Sequence, residues 1–304
     1  MAAARKPWRF NQVSQAANMA ISALFFALAV ITLLPLVFVV IISFSAESSI
    51  LQKGYSFVPI LWSTAAYDYL RDTSNYIGRA FINSIGITVV GTAIGLVLIS
   101  TLGYSISRPT FRLKKLYTAF IFFPMLFSGG LVATYMVNTQ IYGLKNTYLA
   151  LILPGACSTW YTIIMRTFFQ TTVPDSIIES GKIDGASQIH IFLRLVLPVS
   201  LPVIATIGLF LTFSYWNAWY GAMLYLDSSH RELYPLQYVL VSIQNSISFM
   251  ARNEEYYNSE VIKQIPTESS RMAIVTVVVL PIACSYPFFQ RYFVNGLTIG
   301  AVKG

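Results

Sequence analysis

Val173-Pro174-Asp175-Ser176-Ile177-Ile178-Glu179-Ser180-Gly181-Lys182-Ile183-Asp184-Gly185-Ala186, continuing to Leu195-Val196-Leu197-Pro198, is a polar island between two long apolar runs. Pro174 and Asp175 suit a helix start, and Ser176 followed by Glu179 has capping-box spacing. Gly185 is free to take a left-handed conformation and end the helix in a sharp turn. The spacing predicts a short helix outside any membrane, then a second helix leading back into apolar sequence. Ile177, Ile178 and Ile183 give the short helix an apolar patch with nothing of its own to bury against. A helix lying on lipid usually carries a Lys/Arg-rich polar face. Here Asp175, Glu179 and Asp184 stand against Lys182, which favours a protein partner instead.

The sequence on either side of this island is that of a membrane protein. Only 11% of the 304 residues are charged and 56% are hydrophobic, whereas a soluble domain carries about 25% charged residues. Crossing a bilayer takes about 20 apolar residues. Six runs qualify: Ala20 to Phe44, Ala80 to Ser107, Leu116 to Val137, Tyr148 to Met165, Val196 to Leu226 and Met272 to Phe289. None contains Asp, Glu, Lys or Arg. Their backbone polar groups must be satisfied within the segment, so all six are expected to be helices. The basic head before the first run (Arg5, Lys6, Arg9) is reminiscent of a signal peptide. The run is too long for one, however, and no small-residue cleavage site follows it.

Charge sets the orientation. With the N-terminus in the cytoplasm, the inner segments hold twelve of the 20 basic residues, Arg108, Arg112, Lys114 and Lys115 among them, against three acids, a net of +9. Eight basic and nine acidic residues remain outside, a net of −1. The positive-inside rule therefore places both termini in the cytoplasm. The overall charge of +8 is thus read as membrane orientation rather than nucleic-acid binding. The expected organisation is a cytoplasmic segment over 1–19, a six-helix membrane domain over 20–290 with its cytoplasmic loop at 170–197, and a cytoplasmic tail over 291–304. Two longer outer segments, Ser45 to Arg79 and Asp227 to Arg271, have room for short helices capping the outer mouth. Cys157 and Cys284 lie in apolar runs and are expected to be small buried hydrophobes. His190 and His230 belong to no cluster, so no metal site is expected.

The polar island carries a family resemblance. Glu179-Ser180-Gly181, three residues, Gly185, nine residues, then Leu195-Val196-Leu197-Pro198 resembles the EAA motif of binding-protein-dependent ABC importer permeases. In that motif Glu-Ala-Ala, three residues, Gly and nine residues precede Ile-any-Leu-Pro. Ser180 and Gly181 replace the alanines, and Gly181 loosens a helix by up to about 1 kcal/mol relative to Ala. The tail from Gln290 to Gly304 and the Ala80-Phe81-Ile82-Asn83-Ser84 stretch resemble maltose-type carbohydrate permeases, in particular the oligosaccharide and aldouronate branch. The resemblance implies an all-α, type I (MetI-like) permease of the bacterial plasma membrane. It also implies that the island is a coupling helix docking on a separate ATPase through Ile177, Ile178, Glu179, Ser180, Gly181, Asp184, Gly185 and Ala186. The partners it implies are a second homologous permease, two ATPase subunits that bind ATP and Mg, and an extracytoplasmic solute-binding protein. No cofactor is expected in this chain itself.

A sugar site needs aromatic faces beside hydrogen-bonding amides and phenols. Tyr215-Trp216-Asn217-Ala218-Trp219-Tyr220 offers both, and Asn138 adds an amide near the end of the third run. An amide within a span is expected to face the bundle or a water-filled cavity. An aromatic belt at the membrane interface is the competing reading for Trp219 and Tyr220.

Other functions fit less well. No Gly-any-four-Gly-Lys-Ser/Thr loop is present, so the chain cannot supply its own ATPase. Spans without ionisable residues disfavour proton coupling, although sodium coupling through backbone carbonyls stays open. An importer permease of the same fold for another solute is the nearer alternative. An intrinsic enzyme is not expected, because no acid–base pair or nucleophile shares a site.

Overall fold

The computed structural model describes residues 14–73, 76–252 and 266–301, and it is almost wholly helical. By contacts the chain divides into two compact units, Met1–Tyr69 with Lys263–Thr276 and Leu70–Ile262 with Val277–Gly304. The basic residues Arg5, Lys6 and Arg9 and the final residues 302–304 lie outside the described residues.

In the first unit, α1 (Gln15–Ser43) starts at Ser14, whose hydroxyl accepts a hydrogen bond from the Ala17 N–H at 3.2 Å. This side chain satisfies one of the donors that every helix start leaves open. The helix is apolar on all sides, and Phe25, Phe26 and Ile31 are among its many exposed side chains. Two short helices follow, α2 (Glu47–Lys53) and α3 (Ala65–Thr73). Short helices were expected in this segment, and Ser45, before α2, pairs with Trp62, before α3, in an isolated bridge.

The second unit is built on α4 (Ile77–Ser107). Behind it come α5 (Lys114–Leu126), α6 (Gly130–Met136, continuing as a π-wound stretch Val137–Ile141), α7 (Tyr148–Ala156) and α8 (Thr159–Thr171). The polar island forms α9 (Asp175–Ile183), which is followed by α10 (Gln188–Val199), α11 (Leu201–Trp216) and α12 (Tyr220–Tyr225). A 3₁₀ turn at Ser228–Leu233 leads to α13 (Leu236–Arg252), and α14 (Thr267–Ala301) belongs to the first unit up to Thr276 and to the second from Val277.

Three of the six expected spans are unbroken helix: Gln15–Ser43, Ile77–Ser107 and Thr267–Ser285 within α14. The other three are interrupted. The run Leu116 to Val137 divides at Gly129-Gly130, where Gly130 has φ +78°. Pro154 lies just before the break between α7 and α8, which are bent by 46°. Pro202 lacks an N–H and its ring crowds the carbonyl of Pro198 four residues back. The chain bends by 82° at that point, between α10 and α11. Among the described residues, three helices are therefore long and apolar enough to cross a membrane, or up to five when each bent pair counts as one span.

The core lies between α4, α8, α10 and α11, where Ile99, Met165, Phe169, Ile191, Ile207 and Leu211 are fully buried. Small residues on α4 permit the approach. A Cβ on Gly91 would sit 2.6 Å from the Tyr215 ring, and one on Gly103 would sit 3.0 Å from Met165. Close approach through glycine is the usual device of helix packing in lipid, where no hydrophobic force separates helix from tails. Cys157 and Cys284 are exposed rather than buried, Cys157 because it occupies the break after α7.

Candidate functional site

The polar island folds as the sequence suggests at its end and differently at its start. Asp175 is the first residue of α9 and Pro174 its cap, with no side-chain cap bond. Ser176 therefore stands two residues past the cap position, and the expected capping box does not form. Its neighbour Asp175 instead sets a negative charge in the first turn, where the helix dipole favours it. At the other end Gly185 has φ +75°. The Ala186 N–H donates to the Gly181 carbonyl at 2.9 Å, and the Gly185 N–H donates to the Lys182 carbonyl at 3.0 Å. This pair of bonds is a Schellman turn. A Cβ on Gly185 would meet nothing within 4 Å, so only the backbone conformation calls for glycine there.

The faces of α9 divide sharply. Ile178 is buried in the chain's own core with Phe169, Ile191, Phe192 and Val196, which corrects the expectation that the whole apolar patch lacks cover. Gly181 is buried as well, and a Cβ there would stand 2.9 Å from Leu195 and 3.1 Å from Ile191. The second alanine of the motif is thus replaced where α9 presses on α10. Glu179, Ser180, Asp184 and Gly185 are exposed, Ile177 and Ala186 partly so, and Ile183 is 85% exposed.

A residue that the sequence assigned only to the charge bias fixes this loop. Arg108, which caps α4, is itself buried. Its guanidinium donates to the Phe169 carbonyl at 2.7 Å, to the Ser107 hydroxyl at 2.9 Å and to the Asp175 carboxylate at 3.1 Å. It also lies over the Tyr104 ring, 5.3 Å from the centroid. Tyr104, Phe169 and Phe192 form an aromatic cluster with centroids 4.9 to 6.5 Å apart. A planar fork of donors suits several acceptors held in fixed geometry.

The aromatic run expected to line a sugar path is distributed over separate places. Tyr215 is buried, fills the space beside Gly91 and Gly155, and donates its hydroxyl to the Ile152 carbonyl at 2.8 Å. It also lines a cavity of about 160 Å³ that includes Ser214, Ala218 and Tyr225. Trp216 donates its indole N–H to the Val278 carbonyl at 3.1 Å and meets Phe81 edge-on. It borders a different cavity, of about 190 Å³, lined by Phe81, Ile85, Thr88, Thr212 and Pro281 among others. Asn217 caps α11, is exposed, and turns its amide back to the Phe213 carbonyl at 2.9 Å. Trp219 and Tyr220 pack edge-to-face, and Tyr220 is exposed. Asn138 donates to the Tyr225 hydroxyl at 3.0 Å, at the rim of the Tyr215 cavity.

A polar latch closes the far end of this region. Asn146, at φ 58°, exchanges hydrogen bonds with Asp227 at 2.8 and 2.9 Å, and Lys145 pairs with Asp227 at 3.1 Å. Hydrogen bonds from Asn146 and Lys145 hold the Asp227 carboxyl below its ordinary range, and the bond to Asp227 raises the Lys145 ammonium.

Residues 95–299 match the family model described as "Binding-protein-dependent transport system inner membrane component". The chain belongs to this family. Protein LplC of Bacillus subtilis is 38% identical over 274 residues, covering 90% of each chain. The polygalacturonan/rhamnogalacturonan transport system permease protein YtcP of the same organism is 37% identical over 276 residues, covering 91% of this chain and 94% of that one. A crystal structure of a bacterial ABC transporter involved in the import of the acidic polysaccharide alginate superposes with a TM-score of 0.75 at 26% identity. That match covers 95% of this chain and all of the other. The protein is therefore a permease subunit of an ABC importer, a multi-pass protein of the inner membrane. The fold of the permease places the polar-island residues on one short helix, α9, and the Gly185 turn that ends it, and divides the aromatic run among the tightly packed α11, its cap and α12. Arg108 escaped sequence reading because its partners lie 61 and 67 residues away in the chain.

Proposed function

We propose that this permease imports oligosaccharides, in particular chains bearing uronate groups, and that α9 is the helix through which a separate ATPase drives it. The observation that carries the reading is the Gly185-terminated α9, set between α8 and α10 with an acidic outer face and an uncovered Ile183. The pectic and alginate cargoes named for its relatives support the sugar class. The importer would pair this chain with a second homologous permease, two ATPases that bind ATP and Mg, and an external solute-binding protein. In the membrane we place six spans with both termini in the cytoplasm, the three broken runs each counting as one span. Ile177, Glu179, Ser180, Ile183, Asp184 and Gly185 would face the ATPase, with Ile178, Gly181 and Ala186 forming the base on which they stand. Trp216 and Asn217, with Tyr215, Trp219, Tyr220 and Asn138 around them, would border the solute path.

The test is Gly185→Val beside Gly185→Asn in the assembled complex. A β-branched side chain at positive φ is strongly disfavoured, by about 1–2 kcal/mol or more, whereas Asn visits this region readily. Valine is expected to abolish ATP hydrolysis stimulated by loaded binding protein together with uptake, and asparagine to retain both. Normal stimulation in the valine variant would refute α9 as the docking helix. Mass spectrometry of the glycan that co-purifies with the binding protein decides the sugar class, and a neutral glycan would remove the uronate assignment.

A further inference from the structure

The Arg108 fork gathers parts of the chain that are distant in sequence. Its Nη2 holds the carbonyl of Phe169 near the end of α8, its Nε holds Ser107 on α4, and its Nη1 holds Asp175 at the first residue of α9. Gln170 reinforces the α4–α8 join by donating to the Ser107 carbonyl at 3.3 Å. Glycine at 103 lets α4 sit against Met165 and Arg166 of α8 with no room for a Cβ. The other end of α4 is tied with equal care. Asn83 donates to the carbonyls of Glu232 and Tyr234 at 2.7 and 3.1 Å, and accepts from the Tyr148 hydroxyl at 2.9 Å. Ser84 accepts from the Leu236 N–H at 2.8 Å, at the start of α13. Both ties sit on one unbroken helix of 31 residues, roughly 46 Å long at 1.5 Å per residue.

We propose that Arg108 is a positioning residue that makes α9 and the end of α4 move as one body. A displacement of α9 is then carried along α4 to the 3₁₀ turn and α13 that it grips at its far end. The proposal rests on the reading of α9 as the docking helix. Asp175 is its discriminating half. The carboxylate side chain is 73% exposed, so the ion pair adds little to stability. What it supplies is geometry, because it is the contact through which the buried guanidinium reaches α9.

The experiment uses the full complex in vesicles, with the binding protein in the loaded form in which it is isolated. ATP hydrolysed per glycan imported is measured for the wild type, Asp175→Asn and Asp175→Glu. Asp175→Asn removes the charge and leaves the bonds to Phe169 and Ser107, so the complex assembles. The ratio is expected to rise by about twofold to fivefold in this variant, the scale of one exposed ion pair. Asp175→Glu restores the carboxylate and is expected to return near the wild-type ratio. A purely structural role would lower the amount of complex without changing this ratio. A wild-type ratio in Asp175→Asn overturns the proposal, as does an equal rise in both variants. Normal stimulation of the Gly185→Val complex, measured beside these variants, would instead defeat the docking reading itself.

Discussion

Helices α1 and α4 are the two longest unbroken apolar segments before α14, with 29 and 31 residues, yet they are built for opposite surroundings. Mean hydropathy over the best window is 3.1 for α1 and only 2.2 for α4, while the buried share runs the other way, 6% against 33%. The helix with more glycine, serine, threonine and asparagine is the one that is packed. In lipid, apolarity does not distinguish a helix that meets protein from one that meets acyl chains, whereas small and hydrogen-bonding residues do. Asn83, Ser84, Thr88, Gly91, Gly95 and Gly103 are all buried or closely approached on α4. Exposed positions of α1 carry Phe, Leu, Ile and Val instead.

Substitutions can break this contrast or sharpen it. The largest effect is expected from Gly91→Leu, because even a Cβ would stand 2.6 Å from the Tyr215 ring. The aromatic ring is wedged between two helices and has no free end to swing, so overpacking should destabilise the permease by about 3 kcal/mol. Thermal unfolding of the detergent-purified complex measures this, and an unchanged midpoint would show that α4 and α11 are loosely packed there. Tyr215→Phe keeps the ring and removes only the bond to the Ile152 carbonyl. A loss of about 0.6–1.5 kcal/mol is expected, the range of single hydrogen bonds inside membrane proteins and folded cores. Chemical denaturation of the same preparation checks it. The smallest effect is expected from Phe26→Ala on α1, where the ring is 72% exposed. Truncation there should move the stability of the chain by less than about 0.5 kcal/mol. A larger loss, confined to the assembled complex, would identify the Phe26 face of α1 as a subunit contact.

The same contrast explains what was legible in the sequence. Uninterrupted apolar runs gave uninterrupted helices at α1, α4 and α14, and neither Pro35 in α1 nor Pro281 and Pro287 in α14 breaks them. The three remaining runs looked equally apolar but carry Gly129-Gly130, Pro154 and the Pro198–Pro202 pair. Counting apolar residues hid these punctuators, although each acts through ordinary backbone chemistry. The turn at Gly185 was readable because it is local, requiring only the residues from Gly181 to Ala186. The burial of Ile178 and the Arg108 fork were not, since both depend on α4, α8 and α10 meeting beneath the loop. Tyr215 shows the same limit: an aromatic phenol in a span suits a sugar site, but the glycines that receive its ring lie on α4 and α7.

The gap between α5 and α6 has a consequence of its own. The helical ladder ends with the Phe127 N–H on the Phe123 carbonyl and resumes only within Gly130–Met136. The last carbonyls of one helix and the first amides of the next have no partner in their own helix. Hydrocarbon tails offer neither donors nor acceptors, so an unsatisfied group among them costs several kcal/mol. Ser128 meets part of this need by accepting from the Gly130 N–H at 3.2 Å, and residues 127–129 thus belong beside water or another protein surface, although the sequence on either side is apolar enough for oil. A hydropathy profile would place this stretch in the driest part of the bilayer, whereas its backbone makes it a wetting point along an otherwise greasy wall.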